Sequence, residues 1–282
     1  MRMRAITAAT ATATLALSWA VLGMPAAQAD TAATTASATL VHDDALWYKA
    51  AAGQTNQLTV TVKSIDVDPS EFGEDFQITF RDEAGMTIDA TAAETDACVY
   101  PTAGDRTVVQ CVIAEPLGSD DSTTYEVDLG DGADKATVDS RAAIAAVHGG
   151  SGGDVIKGTG QIHFDGGDGN DRIDGTDGLG VDGGEGDDVL TGACQYVCRG
   201  GGGNDSVTGT GDINALYGDD GNDVLRAGGE NDEVYGGRGN DRLYGEDGAD
   251  TMYGNSGDDV LYGGKGRDTL SGGPGTNKVY QD

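Results

Sequence analysis

Aspartate recurs at one fixed position of a glycine-rich, nine-residue unit, and its carboxylate is the group in this sequence with the clearest chemical use. The units follow one another without a slip from Gly200 to Tyr280, from GGGGNDSVT to GGPGTNKVY, with the acid in the sixth place. Glycines supply the positive-φ backbone of tight turns. The free carbonyls of such turns and carboxylates are the hard oxygen ligands of Ca²⁺, which takes about six to eight of them. The spacing therefore predicts a row of calcium sites.

The same unit specifies the elements that must hold these carboxylates in line. Two units make one coil of a solenoid, in which six residues form each turn and three form a short strand whose middle residue points inward. The residues predicted to point inward are Ile156, Phe164, Ile173, Val181, Leu190, Cys198, Val207, Leu216, Leu225, Val234, Leu243, Met252, Leu261, Leu270 and Val279. All are apolar or cysteine, which indicates a continuous core between two sheets.

Coil length changes along the repeat and predicts where the sites lie. Between Gly149 and Gly200 each coil has 17 residues, because the nine-residue unit alternates with an eight-residue unit that lacks the acid, whereas later coils have 18. We therefore expect calcium along one edge throughout and along the second edge only toward the C-terminus. The expected metal ligands are Asp154, Asp171, Asp188, Asp205, Asp223, Asp232, Asp241, Asp250, Asp259 and Asp268.

Stacking of the coils brings these carboxylates close together, because neighbouring strands of a sheet lie about 4.8 Å apart. Like charges at that distance repel. The burial of one apolar side chain per unit does not offset the conformational entropy lost by its nine residues. Calcium binding and folding of the repeat are therefore expected to be one event.

The composition of the whole chain limits its partners and suggests export. The sequence has 17 Lys and Arg against 48 Asp and Glu, a net charge of −31, which argues against a nucleic-acid partner. The N-terminal segment has the features of a cleavable signal peptide, with Arg2 and Arg4 before an apolar stretch and a small-residue cleavage site near Ala29. The mature chain then has no stretch long enough to span a membrane. We expect a secreted protein.

Several segments precede the repeats. The expected organisation is a signal peptide over 1–29, a flexible leader over 30–39, a small β domain over 40–128, a degenerate first rung and spacer over 129–148, and the β-roll over 149–282. In the β domain, Gln57–Val62 and Phe76–Phe80 alternate apolar and polar residues as strands do. The degenerate rung has Asp134 in the acid position, and Val138–His148 is rich in alanine, which suggests helical character.

Four cysteines in an exported chain predict two disulfides. Cys98 and Cys111 flank turn residues and would join the strands of a hairpin. Cys194 and Cys198 lie in an acid-free unit, where a disulfide would brace a turn that lacks an ion. A buried free thiol at the inward-facing Cys198 is the competing interpretation.

The units from Gly149 to Tyr280 closely resemble the RTX nonapeptide repeat, GGxGxDxUx, in which U is a large apolar residue. The resemblance implies an all-β, right-handed parallel β-roll, with Ca²⁺ held between successive turns by the sixth-position Asp and main-chain carbonyls. The preceding region, with its AAAGQTNQLTV run and paired cysteines, resembles that of short exported RTX proteins of high-GC Gram-positive bacteria. The N-terminal signal departs from family members that are exported through a C-terminal one.

The sequence offers little support for catalysis. Gly149–Gly153 satisfies G-x-S-x-G around Ser151, but in register these residues are simply the turn of a repeat. The sequence also predicts two exposed ladders of stacked tyrosines, namely Tyr217, Tyr235 and Tyr253, and Tyr244, Tyr262 and Tyr280. We therefore expect an exported, non-catalytic calcium-binding protein. The alternative is a calcium-dependent cell-surface or matrix adhesin with a glycan or protein partner, and a hydrolase is the least favoured hypothesis.

Overall fold

The architecture is almost entirely β. The computed structural model describes residues 37–43, 45–65, 75–114, 123–175, 178–194, 196–211 and 213–281. The predicted signal peptide and most of the predicted leader lie outside these residues. Within them the chain builds a parallel β-solenoid of stacked coils, as the repeat predicts, with further strands on its N-terminal side and a six-residue helix as the only α-helix described.

The strands before the repeats form two small groups. They are β1 (Ala38–Asp43), β2 (Ala45–Lys49), β3 (Gln57–Ile65), β4 (Asp75–Asp82), β5 (Met86–Ile88), β6 (Val108–Ala114) and β7 (Tyr125–Asp128), with helix α1 (Ala90–Thr95) between β5 and β6. One group joins β1 to β2 antiparallel and to β5 parallel; the other is the antiparallel set β3, β4 and β6. The two strands predicted from alternation are β3 and β4, and β1 begins two residues before the predicted domain boundary.

The roll itself contains fifteen of the described strands. They are β8 (Lys135–Ser151), β9 (Val155–Asp168), β10 (Arg172–Gly175), β11 (Gly180–Glu185), β12 (Val189–Gly192), β13 (Val197–Gly202), β14 (Ser206–Gly209), β15 (Ala215–Asp220), β16 (Val224–Gly229), β17 (Glu233–Arg238), β18 (Arg242–Asp247), β19 (Thr251–Ser256), β20 (Val260–Lys265), β21 (Thr269–Ser271) and β22 (Lys278–Tyr280). β8 and β9 are long because each continues from one face of the roll onto the other.

Parallel pairing arranges these strands in two faces. The first face is the start of β8 and β9 followed by β10, β12, β14, β16, β18, β20 and β22; the second face is the end of β8 and β9 followed by β11, β13, β15, β17, β19 and β21. The register steps by 17 residues at first, as in Ile173 opposite Leu190, and later by 18, as in Leu225 opposite Leu243. The predicted change of coil length is confirmed.

The inward positions form the core between the two faces. From Ile156 to Leu261 every predicted inward residue is at most 3% exposed. Leu270 is partly buried, and Val279, in β22, is 46% exposed. The prediction that the middle residue of each short strand points into the core is therefore confirmed for all but the last coil. One apolar cluster continues from the roll into the N-terminal strands.

The N-terminal strands are hydrogen-bonded directly to the roll. β3 pairs parallel with the start of β8 and so extends the first face, and β7 pairs parallel with the end of β8, with β2 beside it, and so extends the second face. At the junction the fully buried Asn56 donates its backbone N–H to Asp134, and its Nδ2 donates to Leu129 O at 3.2 Å. The predicted domain boundaries remain a prediction, but no free linker separates the strands on either side of residues 129–134.

The helical character suggested for Val138–His148 is wrong, because these residues lie within strand β8. Their side chains alternate between buried and less buried positions, with Ala143, Ala145 and Val147 directed into the core. Pairing with β7 on one side and β9 on the other outweighs the helix propensity of alanine. The segment is a coil of the solenoid with an irregular register between Ser140 and Ala145.

Both predicted disulfides are present. Cys98–Cys111 ties the strand β6 to the segment around Val99, which bridges Gln110 in antiparallel fashion. Cys194–Cys198 closes a turn on the acid-free side of the 17-residue coils. The competing interpretation of Cys198 as a free thiol is wrong, although its side chain is completely buried as expected.

We predict that the N-terminal strands and the roll unfold together. The variant Asn56→Ala removes the buried amide that joins Asp134 and Leu129, at a cost of roughly 1–3 kcal/mol for the groups left unpaired. In protein lacking residues 1–29, Trp47 is the one remaining tryptophan, and its ring stacks on His148 with centroids 6.2 Å apart. Its fluorescence and the far-UV circular dichroism should shift to the same lower melting temperature.

The neighbouring, exposed Gln57 provides the control, since Gln57→Ala should leave both transitions unchanged. Two separate transitions in Asn56→Ala, with only the fluorescence change moved, would show that the junction does not couple the two parts.

Candidate metal centre

The turns that lead into the strands of the first face form the first edge of the roll, and those that lead into the second face form the second edge. The sixth-position residues of the first edge form a continuous ladder of hydrogen bonds. In each rung the backbone N–H of this residue donates to the Oδ1 of its equivalent in the next rung, for example from Asp154 to Asp171 at 2.7 Å and from Asp188 to Asp205 at 2.8 Å. The complete ladder is Asn56, Asp134, Asp154, Asp171, Asp188, Asp205, Asp223, Asp241, Asp259 and Asn277. The predicted assignment of these acids to one edge is confirmed.

The second edge has a shorter ladder of the same kind. It begins where Cys194 N–H donates to Asn214 Oδ1 at 3.2 Å, and it continues through Asp232, Asp250 and Asp268. The 17-residue coils contribute no acid here, as predicted. Asp268 is only half-buried and ends the ladder, with Gln281 Nε2 at 3.3 Å from its Oδ2.

The second carboxylate oxygen of each ladder residue is what gives the site its chemistry. Ten of these side chains are at most 2% exposed. Among the described residues, their Oδ2 atoms are buried and have no hydrogen-bond partner; they belong to Asp134, Asp154, Asp171, Asp188, Asp205, Asp223, Asp232, Asp241, Asp250 and Asp259. A buried, unpaired carboxylate oxygen is costly. A cation would satisfy such a row of oxygens.

The first-position glycine of each turn leaves space beside that oxygen. A Cβ placed on Gly149 would lie 2.6 Å from Asp154 Oδ2 and would also clash with the carbonyl oxygen of Gly166 in the next rung. At Gly166 the equivalent Cβ would meet Asp171 Oδ2 at 2.5 Å and the carbonyl oxygen of Gly183. A carboxylate oxygen and a main-chain carbonyl oxygen therefore face the same small volume, which is the combination of hard ligands that Ca²⁺ prefers.

The fourth-position glycine is required for a different reason. Gly169 has a φ of +133°, which L residues with a side chain rarely adopt. A Cβ there would collide with the carbonyl oxygen of Gly152, one rung earlier. The turns therefore stack too closely for any side chain at this position.

The electrostatics of the ladder disfavour carboxylates without a counter-ion. Burial raises the pKa of Asp188 and of Asp223 to about 7, and that of Asp154 and Asp241 to about 6. The N–H donated from the preceding rung lowers these pKa values, whereas neighbouring carboxylates raise them further. Burial likewise raises the pKa of Asp134, Asp171, Asp205, Asp232, Asp250 and Asp259. The neutral acid thus competes with the metal-bound carboxylate.

A third ladder, at the fifth position, was not predicted from the sequence. It runs in the opposite direction, since each backbone N–H donates to the side-chain oxygen of the preceding rung, as from Asn204 to Asp187 at 2.7 Å. Its members are Asn170, Asp187, Asn204, Asn222, Asn240, Asp258 and Thr276. The recurrence of Asn and Asp before the sixth-position acid was the available signal. These side chains are exposed, so they bind the turns together without forming the buried site.

Asp134 and Asn56 extend the first-edge ladder beyond the predicted ligands. Asp134 shares the burial and the unpaired Oδ2 of the other acids, but Leu129 occupies the first position of its turn, where the other first-edge turns have glycine. Asn56 is detectable in the sequence only by the inward-facing Leu58 two residues later. The structure brings both to the ladder through pairing of β3 with β8.

The carboxylates do not converge in the manner of a compact metal cluster. Within the described ranges, no three His, Cys, Asp or Glu side chains come together as a ready-made set of ligands. Each rung instead contributes one carboxylate, and main-chain carbonyls must complete the coordination. This arrangement fits Ca²⁺, which accepts carbonyl oxygens readily, better than Zn²⁺, which favours Cys and His.

Comparison with known families agrees with this geometry. The family model for the RTX calcium-binding nonapeptide repeat (4 copies) matches residues 163–178, 181–193, 199–234, 217–252, 226–261 and 253–280. The stacked, parallel coils form a β-roll, and RTX calcium-binding nonapeptide repeats are found across residues 163–280, as the sequence resemblance implied. No curated protein matches the chain.

The raised pKa values predict an unusual pH dependence for the calcium-free protein. The folded-state pKa of these aspartates lies above the ordinary value of 3.8 and reaches about 7, so the folded state binds more protons than the unfolded state in that range. The free energy of unfolding must then fall as pH rises through it. We expect the β-sheet circular dichroism of calcium-free protein to be stronger at about pH 5 than at about pH 8.

Saturating calcium should reverse this trend, because the metal competes with protons for the same oxygens. If calcium-free protein gains β structure as the pH rises from about 5 to about 8, the inference that burial raises the pKa of these aspartates is refuted.

Proposed function

We propose that this protein is an exported, non-catalytic calcium-binding protein whose roll folds around Ca²⁺. The metal would be held between stacked turns by Asp154, Asp171, Asp188, Asp205, Asp223, Asp232, Asp241, Asp250, Asp259 and Asp268, together with main-chain carbonyls. That the repeats are of the calcium-binding kind follows from the family match. The row of buried, unpaired Oδ2 atoms carries the assignment to individual residues.

Calcium would supply positive charge that neutralises the carboxylates, and the chain would supply oxygen ligands. The glycine turns keep carbonyl oxygens free, and the ladder hydrogen bonds hold each Oδ1 so that Oδ2 stays directed into the site. Because unfolded chain lacks this arrangement, binding energy would appear as stability of the roll.

A structural role is favoured over catalysis by what surrounds the residues that could react. Ser151, the candidate nucleophile, sits in a repeat turn whose backbone bonds to Gly130 and Gly132 of the preceding rung. The adjacent His148 is directed to Asp165, with Nδ1 and Oδ2 3.3 Å apart, and to Glu126. The imidazole thus serves as a link between neighbouring coils.

Export is supported by two observations. The signal-like segment before Asp30 lies outside the described residues, so the support comes from the sequence. The two disulfides, Cys98–Cys111 and Cys194–Cys198, are typical of oxidising compartments. Separately, none of the residues that the structure describes forms a helix with the length and hydropathy needed to cross a membrane.

The second candidate function is calcium-dependent adhesion, and the tyrosine ladders favour it. Both predicted ladders exist, with ring centroids 4.9 to 5.2 Å apart. The rings stack on one another nearly in parallel, so each ladder presents ring edges and hydroxyl groups outward. Cross-rung packing accounts for the ladders without a partner, which is why adhesion ranks second.

Two adjacent aspartates provide the sharpest test of calcium ligation. Asp188 is buried with an unpaired Oδ2, whereas Asp187 is exposed and accepts N–H groups from Asn204. Asp188→Asn should weaken calcium-induced stabilisation by about tenfold in midpoint concentration, the loss expected for an interaction of roughly 1.5 kcal/mol. The same change should stabilise the calcium-free protein, because it removes a buried charge. Circular dichroism and melting temperature during calcium titration measure both effects.

Asp187→Asn is the matched control, with the same change of charge one residue away. An asparagine there can accept the same hydrogen bond, as Asn222 does in its own rung. Equal calcium midpoints for the two variants, or a melting temperature of the parent protein that ignores calcium and chelator, would refute the assignment.

A further inference from the structure

The outward side chains on the two faces of the roll have opposite charge. The first and third residues of each short strand point outward, and strand pairing aligns them in columns along the roll. On the first face, from 135 to 280, the columns contain a single acid, Asp174, and the cations Lys135, Lys157, Arg172, Arg226, Arg242 and Lys278. On the second face, from 126 to 271, they contain a single Lys or Arg, Arg199, and the acids Glu126, Asp128, Asp165, Asp182 and Glu233.

The cations of the first face are not compensated by the acids around them. Lys135, Lys157, Arg172, Arg242 and Lys278 are exposed and form no ion pair with any described residue. Several cations elsewhere on the roll are paired: Arg238 pairs with Asp220 at 3.0 Å and Lys265 with Asp247 at 2.8 Å. Six of the protein's 17 Lys and Arg residues thus form a positive strip on a chain of net charge −31.

The cations lie in two groups along the strip. Lys135, Lys157 and Arg172 occupy three successive rungs, and Arg226, Arg242 and Lys278 follow after two rungs without a cation. Lys135 and Arg172 are two rungs apart in one column, and so are Arg242 and Lys278. With strands about 4.8 Å apart, each pair spans roughly 10 Å, and the whole strip spans roughly 40 Å. A long, narrow strip with sparse charges matches an extended polymer better than a compact partner.

Between the cations the surface is flat, apolar and rich in hydroxyl groups. Val189 is 39% exposed, and the ladder of Tyr244, Tyr262 and Tyr280 continues the same face. The guanidinium of Arg226 lies over the ring of Tyr244, 4.5 Å from its centroid, which fixes a cation at the end of the ladder. Such a surface can contact the apolar ring faces of sugars and hydrogen-bond to their hydroxyl groups.

We propose that the first face of the roll binds a linear anionic polysaccharide with widely spaced carboxylate or sulfate groups. The cations pair with the acidic groups, while valine and tyrosine contact the sugars between them. The inference rests on the proposed function, because only a roll folded with calcium aligns these columns. Binding of calcium also cancels charge on the edges and so lessens repulsion of an anionic partner.

Nucleic acid and a second copy of the chain fit the strip less well. Duplex DNA carries one charge per about 1.7 Å of axis, which far exceeds the density of cations here. The second face of another copy is acidic mainly near its N-terminal end, from Glu126 to Asp182. Toward its C-terminal end, Glu233 is the one acid in its outward columns that could pair with Arg226, Arg242 or Lys278. Its contact with the first face would also generate an open stack rather than a closed dimer.

The test compares two triple variants that lose the same charge. Lys157→Gln, Arg172→Gln and Arg242→Gln together alter the first face, whereas Arg199→Gln, Arg238→Gln and Lys265→Gln alter the second face and the edges. Calcium-loaded protein is passed over immobilised hyaluronan, which has a carboxylate on alternate sugars, and over chondroitin sulfate, with neutral dextran and duplex DNA as comparisons. We expect saturable binding to at least one anionic polysaccharide, weakened by about tenfold or more in the first triple variant only.

Each other result counts against the proposal. Absence of saturable binding to both anionic polysaccharides, equal loss in the two triple variants, equal binding to dextran, or tighter binding to DNA would overturn it, as would calcium-loaded protein that stacks on itself in sedimentation. Circular dichroism during calcium titration of the parent protein and both triple variants distinguishes a failure of this inference from a failure of the proposed function. A calcium response without polysaccharide binding refutes this inference alone, whereas no calcium response refutes the proposed function.

Discussion

A buried carboxylate oxygen without a protein partner, repeated in successive turns, is the constraint on which the structure depends. The backbone N–H of the preceding turn donates only to Oδ1, from Asp171 to Asp188 and from Asp205 to Asp223, so Oδ2 of these acceptors remains unpaired in the described part of the chain. Each short strand contributes only one apolar residue to the core. The burial of that residue cannot offset both the cost of an unpaired carboxylate oxygen and the entropy lost when the long glycine turns become ordered. A divalent cation resolves both difficulties, because it neutralises the carboxylates and uses the turn carbonyls as ligands.

The two ladders of the first edge hold the turns in register through hydrogen bonds of the protein itself. Each sixth-position N–H donates forward to the next rung, and each fifth-position N–H donates backward, as Asp188 to Asp205 and Asp187 to Asn170 illustrate. Every turn is therefore tied to both neighbours through its own backbone. Asn56 and Asn277 stand at the two ends of the sixth-position ladder. A neutral amide suits an end position, where a carboxylate would have only one neighbouring site to neutralise it.

The period of nine made the roll predictable, because each position in a repeat has one environment. The inward residues, the edge on which each acid lies and the tyrosine ladders all follow from register alone, and the structure confirms these placements except for the inward residues of the last coil. The junction was not predictable, since pairing of β3 and β7 with β8 is non-local and leaves no periodic signal. The alanine-rich part of β8 misled for the same reason: its strand conformation comes from neighbours rather than from propensity.

The 17-residue coils show how a turn is closed where the sixth-position acid is missing. On their second edge the turns are shorter, and the last of them is closed by Cys194–Cys198. The ladder of the second edge begins at this disulfide, where Cys194 N–H meets the neutral Asn214, and carboxylates follow from Asp232 onward. On the second edge, a turn closed by a disulfide thus precedes the turns with a sixth-position carboxylate, and negative charge accumulates on this edge only after the disulfide. The coils after Gly200, with carboxylates on both edges, should therefore depend most on calcium, whereas the earlier coils are held on one edge by covalent and apolar contacts and by pairing with the N-terminal strands.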